Sequence, residues 1–427
     1  MSVPSNRRHI VRCKAASMRA GEGRVRALRL DHLREEKGAL VCAEGESTAT
    51  TLPSLTTDIW CVGDRLLAYR ASRKTLTVLM NNRMYLVGEE VIRVAEIVES
   101  SGAKSIFVIC PDGLYLFSNV GVSTTKYDPA PTTTNLVLFH ERVIGAAGQQ
   151  MRYTAPSDIR SWVSYGEQTA GWCDLLPTGG DVVDVVGMRG NVYFLREHGI
   201  TCLTGYVDVY NFRLEDIPFG MGRIVSHAAV IGEKAYFFTE CGLCCFDGSR
   251  TERAPGAMDE EIDLSNILRV QTAGERIFAA SVGLTDGSQA LYLYEPARER
   301  GRFVRRSFEN FTAGDDIYLM RGTAAYRLTG RALPSGGSCC LTATFALGDL
   351  GEGEKRLEGV FLDGKGSFEI EAVGEDGIAR SRTGEAEQWI DFPASVRGET
   401  VTLRIQSSDV DLSIGEILLR IRREDRV

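Results

Sequence analysis

The stretch that decides the fold is GNVYFLREHGITCLTG, Gly190 to Gly205. A glycine opens an apolar run, Val192 to Leu195. A polar break follows at Arg196 to Gly199, and a second apolar run holds Ile200, Cys202 and Leu203. Two short apolar runs around a polar, glycine-bearing break read as a β-hairpin. The pattern recurs. Copies start at Gly63, Gly102, Gly190, Gly232, Gly274 and Gly314, with a weaker one at His140. The mean period is about 42 residues, and strands repeating at that period are the mark of propeller blades.

The reason is physical. One twisted four-stranded sheet cannot bury both faces, but a ring of such sheets buries each against its neighbours. Four strands of about five residues plus turns use roughly the observed period. Flanking runs supply the remaining strands. Asp181 to Arg189 precedes the hairpin at Gly190, Asn211 to Phe219 follows it, and Ile224 to Ile231 leads into the next copy. The expected fold is all-β: a β-propeller of about seven blades, six if the His140 copy is an insertion, followed by a small antiparallel β-sandwich.

The domains expected are a basic N-terminal arm at 1–24, the propeller at 25–330 and the sandwich at 331–427. The arm holds Arg7, Arg8, Arg12, Lys14, Arg19 and Arg24 against one acid, Glu22, and reads as poorly structured. Residues 25–47 alternate around Lys37-Gly38 and read as a strand pair entering the first blade, a candidate for the strap that closes the ring. Residues 331–336 read as a linker. Beyond it come short strands, with clear alternation at Ser367–Ala372 and Thr400–Gln406. Only Met258–Leu264 and Arg29–Lys37 suggest helix.

Composition sets bounds. The chain has 427 residues, 44% hydrophobic and 25% charged, which suits a globular protein with a large core. No apolar run is long enough for a membrane helix, and the N-terminus lacks the apolar region of a secretory signal. Synthesis and retention in a cytoplasm, or release by lysis, is therefore expected. The 11 cysteines follow no framework spacing, so reduced, mostly buried thiols are expected. A net charge of −8 disfavours tight nucleic-acid binding by the bulk surface.

Motifs for chemistry are few. Cys241-Gly-Leu-Cys244-Cys245 contains a C-x-x-C, but a zinc site needs four ligands. Aligned on Gly199 and Gly242, its cysteines fall on ordinary repeat positions. The five histidines are scattered. Asp181, Asp184, Asp315 and Asp316 are candidates to flank the ring axis, where paired carboxylates serve glycosidases, yet no spacing singles out a pair. No phosphate loop or hydrolase motif is present. The sequence calls for no catalytic residue, no metal and no cofactor. The candidate partner contacts are Arg7, Arg8 and Arg12 in the arm, and Trp162, Tyr165 and Trp172 in the long interval between His140 and Gly190. Trp389 joins the two other tryptophans as a possible sugar platform.

Two consecutive copies, Val182 to Ala254, carry a family likeness. An aromatic strand follows a glycine (Tyr193-Phe194, Tyr236-Phe237-Phe238), then a turn ends in Gly-Ile or Gly-Leu. Phe246-Asp247-Gly248 closes the blade, and Phe219-Gly-Met-Gly-Arg-Ile-Val-Ser-His links blades. This text resembles the β-propeller tail proteins of bacteriophages, including packaged-DNA stabilisation and tail nozzle proteins. The resemblance implies a structural, non-enzymatic protein of the virion tail, assembled in the host cytoplasm. It implies a homo-oligomeric ring below portal and adaptor that continues the DNA channel and retains or gates the genome, without membrane insertion. A fibre or host glycan would meet the C-terminal domain. The alternative is a carbohydrate-binding or glycan-cleaving propeller acting in host adsorption.

Overall fold

The structure is a computed structural model, and it describes residues 7–18, 25–43, 45–63, 65–99, 102–117, 124–127, 132–164, 169–330, 333 and 337–424. It is all-β. Six sheets of four strands each are separate blades, and a seventh four-stranded unit is embedded in a nine-stranded sheet. In chain order, the blades are 58–86, 93–127, 136–174, 182–217, 229–253, 262–304 and 310–329. The first strand of each blade lies innermost, and neighbouring blades touch around a closed circuit. The weak copy at His140 is thus a blade of its own, with Arg142–Ala147 as its second strand.

The hairpin from Gly190 to Gly205 is the middle of blade 4. Asn191–Arg196 pairs antiparallel with Gly199–Thr204. Its inner strand, Val182–Met188, turns into it through Arg189 and Gly190, at φ 53° and 75°. Positive φ at both central residues is the twist-matched two-residue hairpin turn, which explains the glycine that opens the motif. Tyr193, Leu195, Ile200 and Cys202 face blade 5, while Val192, Phe194 and Leu203 face blade 3. This alternation of two buried faces is why the strands read as nearly continuous apolar runs.

Blade 7 takes its outermost strand from near the N-terminus: Gly45–Thr51 pairs with Ala324–Thr329. The strap is therefore narrower than the 25–47 segment expected to supply it. The rest of that segment belongs to the sandwich. Leu33–Glu36 and Ala39–Cys42 form a hairpin around Lys37-Gly38, both at positive φ, and extend the sheet that contains Ser413–Glu424. Val25–Asp31 pairs with Cys339–Ala346, and its last residue also bridges Phe303 of blade 6. Through that bridge one sheet runs without a break from propeller to sandwich.

The N-terminal segment also departs from expectation. Arg7–Lys14 is a strand, antiparallel to the C-terminal strand from Lys14↔Glu416 to Arg7↔Arg423. Arg8, Arg12 and Lys14 are exposed, whereas Val11 and Cys13 point in, and the following turn adds buried Ala15 and Met18 to the sandwich core. Alternation within a basic stretch is still a β signal when the apolar side has a core to enter. The propeller accordingly begins at residue 45, not 25. The sandwich is built from both ends of the chain.

No helix forms at Met258–Leu264 or Arg29–Lys37. Met258 sits at φ 53°, and Ile262–Ala273 is the long inner strand of blade 6. In the C-terminal part, Ala379–Glu385 is a strand that its polar sequence hid. No helix among the described residues is long and apolar enough to cross a membrane.

Candidate functional site

The most organised polar constellation lies on the propeller axis. Each blade places one polar residue at the same position of its innermost strand: Asp58, Arg93, Asn135, Asp184, His227, Arg269 and Asn310. Register supports the equivalence, since Asp58 lies opposite Tyr69, Arg93 opposite Ile109, Asp184 opposite Leu195 and Asn310 opposite Met320, each the penultimate residue of the second strand, while Arg269 lies opposite Ser281 in the longer second strand of blade 6. Asn135 and His227 sit just before the paired residues of blades 3 and 5. The ring surrounds an axial cavity of about 800 Å³, which Asp58, Arg93, Asn135, His227, Arg269 and Asn310 all line.

The ring members bind one another. The Arg93 guanidinium donates to both oxygens of Asp184, at 3.3 and 3.2 Å. Asp184, fully buried, also accepts from the backbone N–H of Val185 and of Ala228, at 2.8 and 2.9 Å, and His227 Nδ1 lies 3.5 Å away. On the opposite side Arg269 donates to Asp58 at 2.6 Å and to the carbonyls of Ile59 and Phe311. Its guanidinium lies 3.9 Å from the centre of the Trp60 ring, a cation–π contact. Asn310 donates to the other oxygen of Asp58 at 2.6 Å.

The two carboxylates are shifted in opposite senses. Burial disfavours ionisation of Asp184, but Arg93 and His227 outweigh it and hold its pKa at about 2. Burial pushes the Asp58 carboxyl up, and Arg269 only partly offsets this. Each carboxylate has its oxygens committed to partners within the ring. The arrangement is a lock that ties the inner strands of next-but-one blades together around the axial cavity.

Of the aspartates expected near the axis, Asp184 is there. Asp181 accepts from Gln149 in a turn, and Asp316 pairs with Arg327 at 3.3 Å, beyond the far end of the blade 7 inner strand. Asp315 lies in the same turn. The ring was missed, although a signal existed: Asp58, Asn135, His227 and Arg269 each stand five residues before a repeat start at Gly63, His140, Gly232 or Gly274.

The expected partner contacts separate. Arg7 lies in the N-terminal strand. Arg8 and Arg12 point outward from it, and Arg8 pairs with Glu358 at 3.1 Å. Trp162 packs against the core between blades 2 and 3, whereas Trp172 on the outer strand of blade 3 is 56% exposed. Tyr165 lies outside the described residues. Trp389 belongs to a cross-strand row on the outer sandwich face, where Arg12 opposes Leu418, Leu418 opposes Phe361 and Phe361 opposes Trp389. The Phe361 and Trp389 rings are 5.7 Å apart, and Arg420 covers Trp389 while pairing with Asp391.

Cys244 and Cys245 are buried on opposite faces of a blade 5 strand, and Cys241 sits exposed in the turn before it. Among the described residues, no group of three or more His, Cys, Asp or Glu is placed to hold a metal.

No family model matches the chain, and no curated protein does. Solved structures do. A puromycin-hydrolysing peptidase of Mycobacterium tuberculosis matches at 11% identity and TM-score 0.44, over 72% of this chain and 61% of that one. Kluyveromyces lactis Hsv2 matches at 9% and 0.37, over 77% and 96%. YCF48 from Cyanidioschyzon merolae matches at 13% and 0.40, over 66% and 98%. At such scores these likenesses carry no argument about function.

Proposed function

We propose that this chain is a structural component of a bacteriophage tail, forming a head-to-tail ring that continues the DNA channel and retains the genome until ejection. The observation that supports this best is a pair of unlike edges on different blades. The outer strand of blade 1, Arg83–Leu86, and the turn before it expose Met80, Met84 and Leu86, at 70%, 53% and 70%. Arg65, Arg73 and Arg83 are exposed on the same blade. Three blades on, blade 4 exposes Tyr206 and Tyr210, at 72% and 90%, beside exposed Asp208, Glu215 and Asp216. A basic, methionine-rich edge complements an acidic, tyrosine-rich one. Two different patches on one molecule suit a heterologous contact, which closes into a ring when the rotation allows.

Other features agree with this reading. In this reading the DNA path runs through the centre of the ring of copies and not through one subunit. The acidic balance of −8 keeps phosphate from sticking to the walls. Among the described residues, Arg7–Lys14 and the Ser413–Glu424 strand pair within the sandwich, and the strap closes blade 7, so the first and last described strands are held by ladders. The test is mass measurement by native mass spectrometry or light scattering, alone and with a portal–adaptor complex. A ring of about six copies, the closed form head-to-tail contacts favour, is expected; a monomer in both settings overturns the proposal.

One observation favours the carbohydrate reading: the Phe361–Trp389 pair, flanked by Arg420 and Asp391 on an open sheet face. Aromatic faces stack on sugar C–H groups while charged neighbours take hydroxyls. Glycan-array binding lost in Trp389→Ala would establish it, and an empty array would dismiss it.

A further inference from the structure

Both ends of the chain meet in the sandwich core, and they bring two thiols together there. Cys42 ends the strand Ala39–Cys42, in the sheet that also holds the C-terminal strand. Cys339 starts the strand Cys339–Ala346, in the facing sheet. Both are buried, and their sulfurs lie 3.4 Å apart although 297 positions separate them in the chain. Each thiol also points at a backbone carbonyl of one turn, Cys42 at Asp409 (3.2 Å) and Cys339 at Ser407 (3.4 Å). The adjacent Cys340 faces the other side of its strand, as alternation requires, and is not a competitor.

We propose that Cys42 and Cys339 are a disulfide-forming pair: a covalent staple that joins the two sheets of the sandwich and closes a loop around the whole propeller. Sulfur atoms already 3.4 Å apart on facing sheets need small side-chain rotations to reach bonding distance. With glutathione disulfide as oxidant the step balances. One cysteine thiolate attacks the oxidant and releases one glutathione. The second thiolate then attacks that mixed disulfide, forming the Cys42–Cys339 bond and releasing the second glutathione. Two thiol protons and two electrons leave the protein and appear as two molecules of reduced glutathione.

Burial sets when this happens. Its Cys42 neighbour and burial both raise the Cys339 thiol, so little thiolate exists in the closed sandwich. The pair stays reduced in a reducing cytoplasm and closes when the sandwich opens or folds in an oxidising medium. The staple would be felt mostly by the unfolded chain, because a loop of this length loses much freedom on closure. The inference stands on sandwich geometry alone, whether or not the tail reading holds.

The test uses the full chain, refolded from urea in a reduced/oxidised glutathione buffer and separately in excess reductant. Under oxidation, peptide mapping should join the Cys42 and Cys339 peptides. The intact mass should fall by about 2 Da, the two hydrogens lost in forming one bond. The chain should run faster on a non-reducing gel, and its melting temperature should rise by about 3–8 °C over the reduced form. Cys42→Ala and Cys339→Ala should each lose the shift; should either fail to fold, the wild-type peptide map alone decides. Eleven titratable thiols after oxidative refolding, or a dominant link between any other cysteines, would overturn the proposal.

Discussion

Arg93 and Asp184 form a two-pronged ion pair that joins blade 2 to blade 4 across the inner strand of blade 3. The carboxylate is fully buried and the guanidinium nearly so, at 16% exposed. Removing one partner strands the other charge in the interior. Asp184→Asn should therefore cost about 3–5 kcal/mol, while Arg93→Met with Asp184→Asn should recover part of it, because no buried charge is then left unpaired and the amide oxygen still accepts from the backbone N–H of Val185 or Ala228. Urea unfolding of the three chains measures this. Equal losses in single and double variants would refute the lock.

The same pair fixes a pH dependence. Asp184 titrates at about 2 in the fold, below the ordinary carboxylate value of about 3.9. Its contribution to stability is thus complete above the unfolded value and is lost as pH falls from about 4 toward 2. The raised carboxyl of Asp58 works in the opposite sense. Asp184→Asn should accordingly flatten the acid limb of a plot of melting temperature against pH between about 5 and 2. An unchanged acid limb would show that Asp184 does not carry it.

How much of this was legible in the sequence follows from which signals are local. The hairpins were legible because a strand pair, its two-residue turn and its glycine lie within sixteen residues, as from Gly190 to Gly205. The C-terminal strands were legible for the same reason, except Ala379–Glu385, whose outward charges carry no alternation. The axial ring was only partly legible: four of its seven members stand at one offset from the repeat starts, but the members meet only when the circle closes, and the ion pairs skip a blade. The sandwich was half legible. Val11, Cys13 and Met18 are too few among arginines to announce a strand, and their partner strand, Ser413–Glu424, lies at the other end of the chain.

That last point can be tested by deletion. A chain lacking residues 1–18 loses the Arg7–Lys14 strand and uncovers the core beneath Val11, Cys13, Ala15 and Met18. The loss should be about 3–6 kcal/mol, from these four buried apolar side chains and a strand ladder. Calorimetry should show an earlier transition. A free arm would leave the trace unchanged.

The two tryptophans of the blade 3 loop region should also part company. Trp162 packs against the blade 2–3 core and is half-buried, so Trp162→Ala should cost about 1–3 kcal/mol, below the 3–5 of a full core aromatic. Trp172 stands mostly in solvent. Trp172→Ala should change stability by less than about 0.5 kcal/mol. Chemical denaturation of both variants decides the matter, and equal losses would contradict the packing.

The proposed ring makes a reciprocal demand on blades 1 and 4. If Arg73 and Arg83 of one copy meet Glu215 and Asp216 of the next, reversing either side places like charges in contact. Arg73→Glu with Arg83→Glu should dissociate the ring, and so should Glu215→Arg with Asp216→Arg. Combined in one chain, the four changes restore opposite charges at every contact and should restore the ring, since the same two edges meet at each step of a head-to-tail assembly. All six positions at issue, including Tyr206 and Tyr210, are exposed on the isolated chain, Asp216 also accepting from the buried Thr201 hydroxyl at 2.6 Å, so circular dichroism is used to check the monomer fold of each set. Light scattering at fixed protein concentration reads the assembly. Dissociation by both single-sided sets with rescue by the combination is the expected result; rings that persist through both reversals would place the interface elsewhere.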